Sequence, residues 1–213
     1  LGRDLLASAQ GGFADALRYL HRDDNPAARQ AAETALAPWL ESGQAGFIRE
    51  SDPMEPFIGA VISNELFDAL PAQPWRWNGE VWEREMLGPE DPFWEPAEPG
   101  TPGVWFAAQT EGDLEPGDGS VWVEGLPQLV RELSGCLEQG LFMAIDYGDS
   151  ASRLLAKGAD LRRYKGHAVD GTWWEGLGTC DLTADVDFTR LTALLLQEGL
   201  PDATLRSLGR WIR

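Results

Sequence analysis

Cysteine and histidine are scarce in this chain of 213 residues: Cys136 and Cys180, His21 and His167. Two thiols cannot staple a domain of this length. Neither stands in a Cys-x-x-Cys or Cys/His arrangement of zinc-ligand spacing, which argues against a structural metal and for a reducing compartment. Basic residues are also few, 17 Lys+Arg against 35 Asp+Glu, for a net charge of −18. A nucleic-acid binder needs a cationic face to displace counterions from phosphates, so that class is excluded. Such acidity serves solubility, or it suits a partner or substrate that carries positive charge. No apolar run approaches the roughly 18–20 residues of a membrane span, and no charged-then-apolar leader opens the chain. The expectation is a cytoplasmic protein without membrane insertion. Motifs for several chemistries are missing too. No Gly-x-Ser-x-Gly elbow surrounds a serine, no Walker A loop offers a phosphate cradle, and no intact Gly-x-Gly-x-x-Gly turn supports a dehydrogenase. Internal repeats are absent.

The residues that are present divide by composition. Between Glu80 and Glu124 stand 12 Asp/Glu, one basic residue (Arg84) and repeated Pro and Gly, and six of the ten tryptophans lie from Trp75 to Trp122. Asn78-Gly79 between Pro74–Trp77 and Val81–Arg84 signals a hairpin. The middle therefore reads as an antiparallel insertion, residues 73–124, between α/β blocks at 1–72 and 125–213. Its tryptophans read mainly as the core of a small sheet. A minority could instead be exposed, to dock a basic partner through cation–π contacts.

In the first flank, Leu1 to Gln10 reads as a helix and Ala14 to His21 as a weak strand. Asn25-Pro26 starts a helix with a favoured N-cap and a proline at its first position, ending at Ala37 before Pro38. Phe47-Ile48 is a short strand. Phe57 to Ser63 is a continuous apolar run of the kind buried on both faces of a parallel sheet. In the far flank, Pro127 opens a helix presenting Leu129, Val130, Leu133, Cys136 and Leu137, with Gly140 as its C-terminal cap. Leu141 to Ile145 is a second buried strand, and Asp187 caps a last helix that ends at Gly199. Alternating strands and helices imply a mostly parallel sheet with right-handed crossovers.

Ligands of open α/β sheets bind beyond the carboxyl ends of the strands. Three strand ends carry polar groups there: Asp23-Asp24, Asn64-Glu65 and Asp146. Carboxylates so placed can hold ribose hydroxyls, an amino group or a cationic substrate. Loop bracing or helix capping is the alternative for each.

Val61-Ile62-Ser63-Asn64-Glu65-Leu66-Phe67-Asp68-Ala69-Leu70-Pro71 resembles the NE-hydrophobic-hydrophobic-DALP signature of the MidA-like S-adenosylmethionine-dependent methyltransferases. These are bacterial relatives of the mitochondrial arginine methyltransferase that assists complex I assembly. Tyr19, Asp23 and Asn25–Gln30, then Ile145–Gly148, Leu161–His167 and Asp181–Phe188, resemble further elements of that family in the same order. The resemblance implies a Rossmann-like class I sheet and S-adenosylmethionine as cofactor. Its implied activity is arginine methylation on a partner protein with a basic segment, a respiratory-complex subunit being one candidate. It places the family's first strand and Gly-x-Gly loop just before Leu1, so the residues read as a truncated piece whose own activity is open. A non-catalytic scaffold derived from a methyltransferase is the alternative. By resemblance Asp23 binds the cofactor ribose, with Ser63 and Asn64 beside the cofactor. Glu65, then Asp146, orients the acceptor guanidinium, together with Asn64. Asp68 reads as a brace of the turn before Pro71, and Asp181, Thr183, Asp185 and Asp187 as either substrate-facing or capping residues.

Overall fold

The computed structural model describes every residue except 24, 50, 51, 53, 99, 111, 167, 170, 171, 212 and 213. Asp24 and His167 thus lie outside the described residues. The chain divides into two compact units, Leu1–Glu55 and Pro56–Arg213.

The first unit holds α1 (Gly2–Ser8), α2 (Gly11–Ala16), β1 (Tyr19–His21), α3 (Pro26–Glu41) and β2 (Ala45–Phe47). β1 and β2 pair in parallel, with Tyr19 opposite Ala45. Leu6, Leu36 and Ala45 form the buried core of the unit, with Tyr19, Trp39 and Phe47 packed on it. Gly2 admits the Tyr19 ring, which a Cβ would meet at 2.4 Å. The Asn25 side chain accepts hydrogen bonds from the Ala27 and Ala28 amides, the N-cap expected from Asn-Pro. Two expectations fail here. Ala14 to Ala16 are helical, and only Tyr19–His21 is strand. Pro38 lies inside α3, which continues to Glu41 because Leu36, Trp39 and Leu40 must reach the core. Burial of that face outweighs the roughly 3 kcal/mol that an interior proline costs.

The second unit opens with β3 (Phe57–Asn64). Next come β4 (Ala72–Trp77), β5 (Trp82–Leu87), β6 (Pro92–Pro96), α4 (Gly100–Ala107) and β7 (Gly119–Val123). Four of these strands form an antiparallel sheet in the order β6-β5-β4-β7. Asn78 closes the β4–β5 hairpin by accepting the Glu80 and Val81 amides, with Gly79 at a φ of 104°. Trp75, Trp82, Phe106 and Leu155 form its buried cluster. None of the six tryptophans from Trp75 to Trp122 is exposed. Arg76 lies 4.2 Å from the Trp94 ring centre and Arg190 lies 3.3 Å from that of Trp122. The cation–π partners of this sheet are the chain's own arginines, so the exposed-tryptophan docking face does not form.

The chain continues through α5 (Leu126–Gly135), β8 (Leu137–Ile145), β9 (Gly148–Asp149), α6 (Ala151–Lys157), β10 (Leu161–Lys165), β11 (Ala168–Val169), β12 (Asp181–Ala184), β13 (Val186–Asp187), α7 (Phe188–Gln197) and α8 (Leu208–Trp211). β3 and β8 pair in parallel from Phe57 and Leu137 to Asn64 and Ile145. β9 pairs in parallel with β13, and β10 lies between β11 and β12 in an antiparallel sheet. Gly140 does not cap α5. It sits within β8 at a φ of 146°, where a Cβ would fall 1.7 Å from the Gly59 carbonyl oxygen.

Parallel pairing is present, but among the described residues it forms separate two-stranded ribbons, not one sheet. The double burial expected for Phe57 to Ser63 is also absent. Phe67 packs on Phe142 on one face of the β3–β8 ribbon, whereas Ile58 is 72% exposed, Ile62 44% and Leu141 50%. A two-stranded ribbon has too few neighbours to cover both faces.

Candidate functional site

The carboxyl ends of β3 and β8 lie side by side, Asn64 opposite Ile145, so the residues that follow each strand must emerge together. The Glu65 amide extends the ladder by donating to the Ile145 carbonyl at 2.8 Å. Glu65 then turns sharply, with a φ of 50°, a left-handed conformation rare for a residue bearing a Cβ. Its side chain is exposed.

Asp146, the residue after β8, holds this turn. Its Oδ2 accepts the Leu66 and Phe67 amides at 3.2 and 3.0 Å, and its Oδ1 accepts the Asp68 amide at 3.3 Å. Burial pushes the Asp146 carboxyl upward, against the lowering effect of those three amides. Asp68 is itself buried, 4% exposed. Burial, then the neighbouring Asp146 and Glu65 charges, push its carboxyl up to about 6, with Arg162 opposing. As a carboxylate, Asp68 Oδ1 has no hydrogen-bond donor among the described residues. The Asp146 carboxyl beside it favours the protonated form of Asp68.

A third segment closes the site. The Ala184 amide donates to the Asp68 carbonyl at 2.9 Å, and the Val186 amide to the Tyr147 carbonyl at 2.8 Å. Gly148 makes the second approach possible, since a Cβ there would lie 2.1 Å from the Val186 carbonyl oxygen. Between the Glu65–Ala72 segment, β10 and β12 opens a cleft of about 740 Å³. Glu65, Asp68 and Asp181 are among the residues that line it, as are Tyr147 and Tyr164. Among the described residues no cluster of three or more His, Cys, Asp or Glu could hold a metal.

The four residues 181, 183, 185 and 187, equivalent in the sequence, separate here. Asp181 and Thr183 line the cleft. Asp185 is paired with Lys157 at 2.6 Å and Arg162 at 2.8 Å; burial raises its carboxyl, but these cations bring it below the usual range. Asp187 caps α7 through the Arg190 amide and accepts the Trp105 indole N–H. The last two are structural.

The other expected site residues fall as follows. Asn64, Glu65 and Asp146 are brought together, but only Glu65 lines the cleft; Asp146 stands behind the wall as a brace. Ser63 Oγ is buried without a hydrogen-bond partner among the described residues, and Asn64 is exposed at the strand end. Asp23 belongs to the first unit, where it follows β1 and accepts the Asn25 amide at 2.9 Å. Tyr164 and Asp68 are wall residues to which the sequence alone attached no ligand role. The three-residue step from Glu65 to Asp68 was the available signal for the second.

Residues 1–202 match the model of a family described as "Putative S-adenosyl-L-methionine-dependent methyltransferase". The chain belongs to that family. No curated protein sequence matches this methyltransferase-family chain. Its fold is similar to that of a Burkholderia thailandensis protein solved with S-adenosyl-homocysteine bound: 21% identity, TM-score 0.71, covering 85% of this chain and 48% of that one. A second B. thailandensis structure of the same superfamily, a native crystal structure phased with iodide, gives 21% identity and a TM-score of 0.68, covering 85% and 50%. The chain thus spans about half the length of these solved relatives. The shared architecture is a mixed α/β fold.

Proposed function

We propose that this chain is part of an S-adenosylmethionine-dependent methyltransferase that methylates arginine on a partner protein through a basic segment. The observation that carries the reading is the cleft just beyond β3, with Glu65, Asp68 and Asp181 on one wall system and two tyrosines beside them. A guanidinium stays protonated in water, so a site for it needs carboxylates to orient it and planar groups to flank it. Glu65 is the orienting residue, since it is exposed and lines the cleft. Family membership supports the cofactor. So does the chemistry of Ser63 and Asn64, a buried hydroxyl with no partner among the described residues and an exposed amide, which both suit a polar ligand. Asp23, after β1, is the ribose ligand in this reading. The parallel pairing within each unit, β1–β2 in the first and β3–β8 in the second, is read as that of a Rossmann-like class I fold. Residues 73–124 are then its antiparallel insertion.

Calorimetric titration with S-adenosylhomocysteine tests the reading. Binding is expected, weakened at least tenfold by Asp23→Ala and within twofold of wild type in Glu65→Gln, while Glu65→Gln loses methyl transfer to arginine peptides. A protein that does not bind S-adenosylhomocysteine would overturn the assignment.

A further inference from the structure

We propose that Asp68 is a catalytic residue of the methyltransferase reaction, the base that contacts the acceptor guanidinium and takes its proton. The assignment rests on the reading above, and three structural observations support it. Asp68 lines the cleft although it is 4% exposed. Its buried Oδ1 has no donor among the described residues. Its main chain is held from both sides, the amide by Asp146 and the carbonyl by the Ala184 amide. A buried carboxylate oxygen without a donor costs free energy unless a ligand supplies one, and a guanidinium N–H does so.

The reaction requires such a base. When bound, S-adenosylmethionine supplies the methyl: the carbon–sulfur bond breaks with its electron pair left on sulfur, and the carbon bonds to a guanidinium nitrogen. That nitrogen must release one proton for the product to remain a monocation. Received by Asp68, the proton neutralises one carboxylate while one sulfonium becomes a neutral thioether, so charge balances. Glu65 is too exposed for this role and serves orientation. Asp146 has both oxygens on backbone amides and serves as the positioning residue behind Asp68.

The groups facing Asp68 set its titration. Asp146 and Glu65 raise it and Arg162 on β10 lowers it, while Asp181, Tyr147 and Tyr164 stand on the cleft walls. With a value of about 6, Asp68 is ionised at pH 7.5 and mostly protonated at pH 5. A proton acceptor works best with a value near the working pH.

Carbon-13 NMR of the aspartate carboxyls, assigned through Asp68→Asn, tests this without turnover. The probe is N-acetylarginine amide. A resonance titrating near 6 and moving to lower pH with the probe is expected. Probe affinity should be about tenfold higher at pH 7.5 than at pH 5. Asp68→Asn should abolish that ratio, and Glu65→Gln should weaken binding at both pH values while preserving it. Single-turnover methyl transfer should follow the same titration in wild type and be slowed at least tenfold and made flat by Asp68→Asn. Overturning results are a probe that does not bind, one that leaves the Asp68 carboxyl unmoved, or a transfer profile that Asp68→Asn leaves intact. Loss of S-adenosylhomocysteine binding in the wild type would instead strike the methyltransferase reading, leaving the guanidinium contact to be judged by the NMR.

Discussion

Glu65 and Asp68 are three residues apart and show opposite compromises between folding and chemistry. Glu65 accepts a left-handed backbone, φ 50°, to turn its carboxylate out of the β3 ladder. That conformation costs a residue with a Cβ about 1–2 kcal/mol, and glycine relieves it at some entropic cost. Glu65→Gly should therefore stabilise the chain by about 0.5–1 kcal/mol in urea unfolding, whereas Glu65→Ala should not. Equal behaviour of the two would mean the turn is unstrained. Asp68 carries its cost in protonation. Its folded value of about 6 lies above the ordinary 3.8, so between these pH values the folded protein holds a proton that the unfolded chain releases. Its contribution to stability is most favourable below 3.8 and declines as pH rises through 6. Asp68→Asn, neutral at every pH, should be more stable than wild type at pH 7.5 by on the order of 2 kcal/mol, and the gap should shrink toward pH 4. Urea unfolding at the two pH values measures it. A gap that persists at pH 4 would assign the gain to packing instead of charge.

At the scale of elements, the site depends on how closely backbones approach. β3 and β8 meet at Gly59 and Gly140, and β9 meets β13 at Gly148. A Cβ at Gly140 would stand 1.7 Å from a carbonyl oxygen, with a φ of 146° that no other residue adopts readily. Gly140→Ala should cost at least about 3 kcal/mol in denaturant unfolding, or prevent soluble expression. Gly135→Ala, near the end of α5 with open space around it, should instead gain about 0.5–1 kcal/mol. If both substitutions behaved alike, helix propensity and not strand contact would govern this region. Gly140 also shows where sequence reading stops. A glycine after an amphipathic run has the signature of a helix cap, and only the β3 backbone, 81 residues earlier at Gly59, reveals that it serves a strand pair. Local signals were legible where the partner is local: Asn25 capping α3, Asn78 closing its hairpin and Asp187 capping α7 all act within three residues. Pro38 was misread for the complementary reason, because its helix is held by tertiary burial at Leu36 and Leu40.

At the scale of the whole chain, the strand-end rule located Asn64, Glu65 and Asp146 from sequence because parallel strands of similar length bring their carboxyl ends to one level. It could not separate Asp181 from Asp185. That choice is made by Lys157 and Arg162, which draw Asp185 into an ion-pair cluster, while Asp181 faces the cleft. The net charge of −18 adds a longer-ranged effect that no single residue carries. Surface charges act across about 10 Å at 0.1 M salt, so an extended basic partner feels many of them, and the field speeds encounter more than it tightens the final contact. In the proposed reading a single guanidinium inside the cleft pairs with Glu65 and Asp68 at short range, where salt screens little. An arginine-rich peptide should therefore lose about tenfold in affinity between 50 and 300 mM salt, whereas N-acetylarginine amide should lose less than about twofold. Fluorescence anisotropy for the peptide and NMR titration for the small probe, at the same pH, give the comparison. If both ligands weakened equally with salt, surface charge would be the whole of the attraction and the cleft carboxylates would contribute no selectivity for arginine.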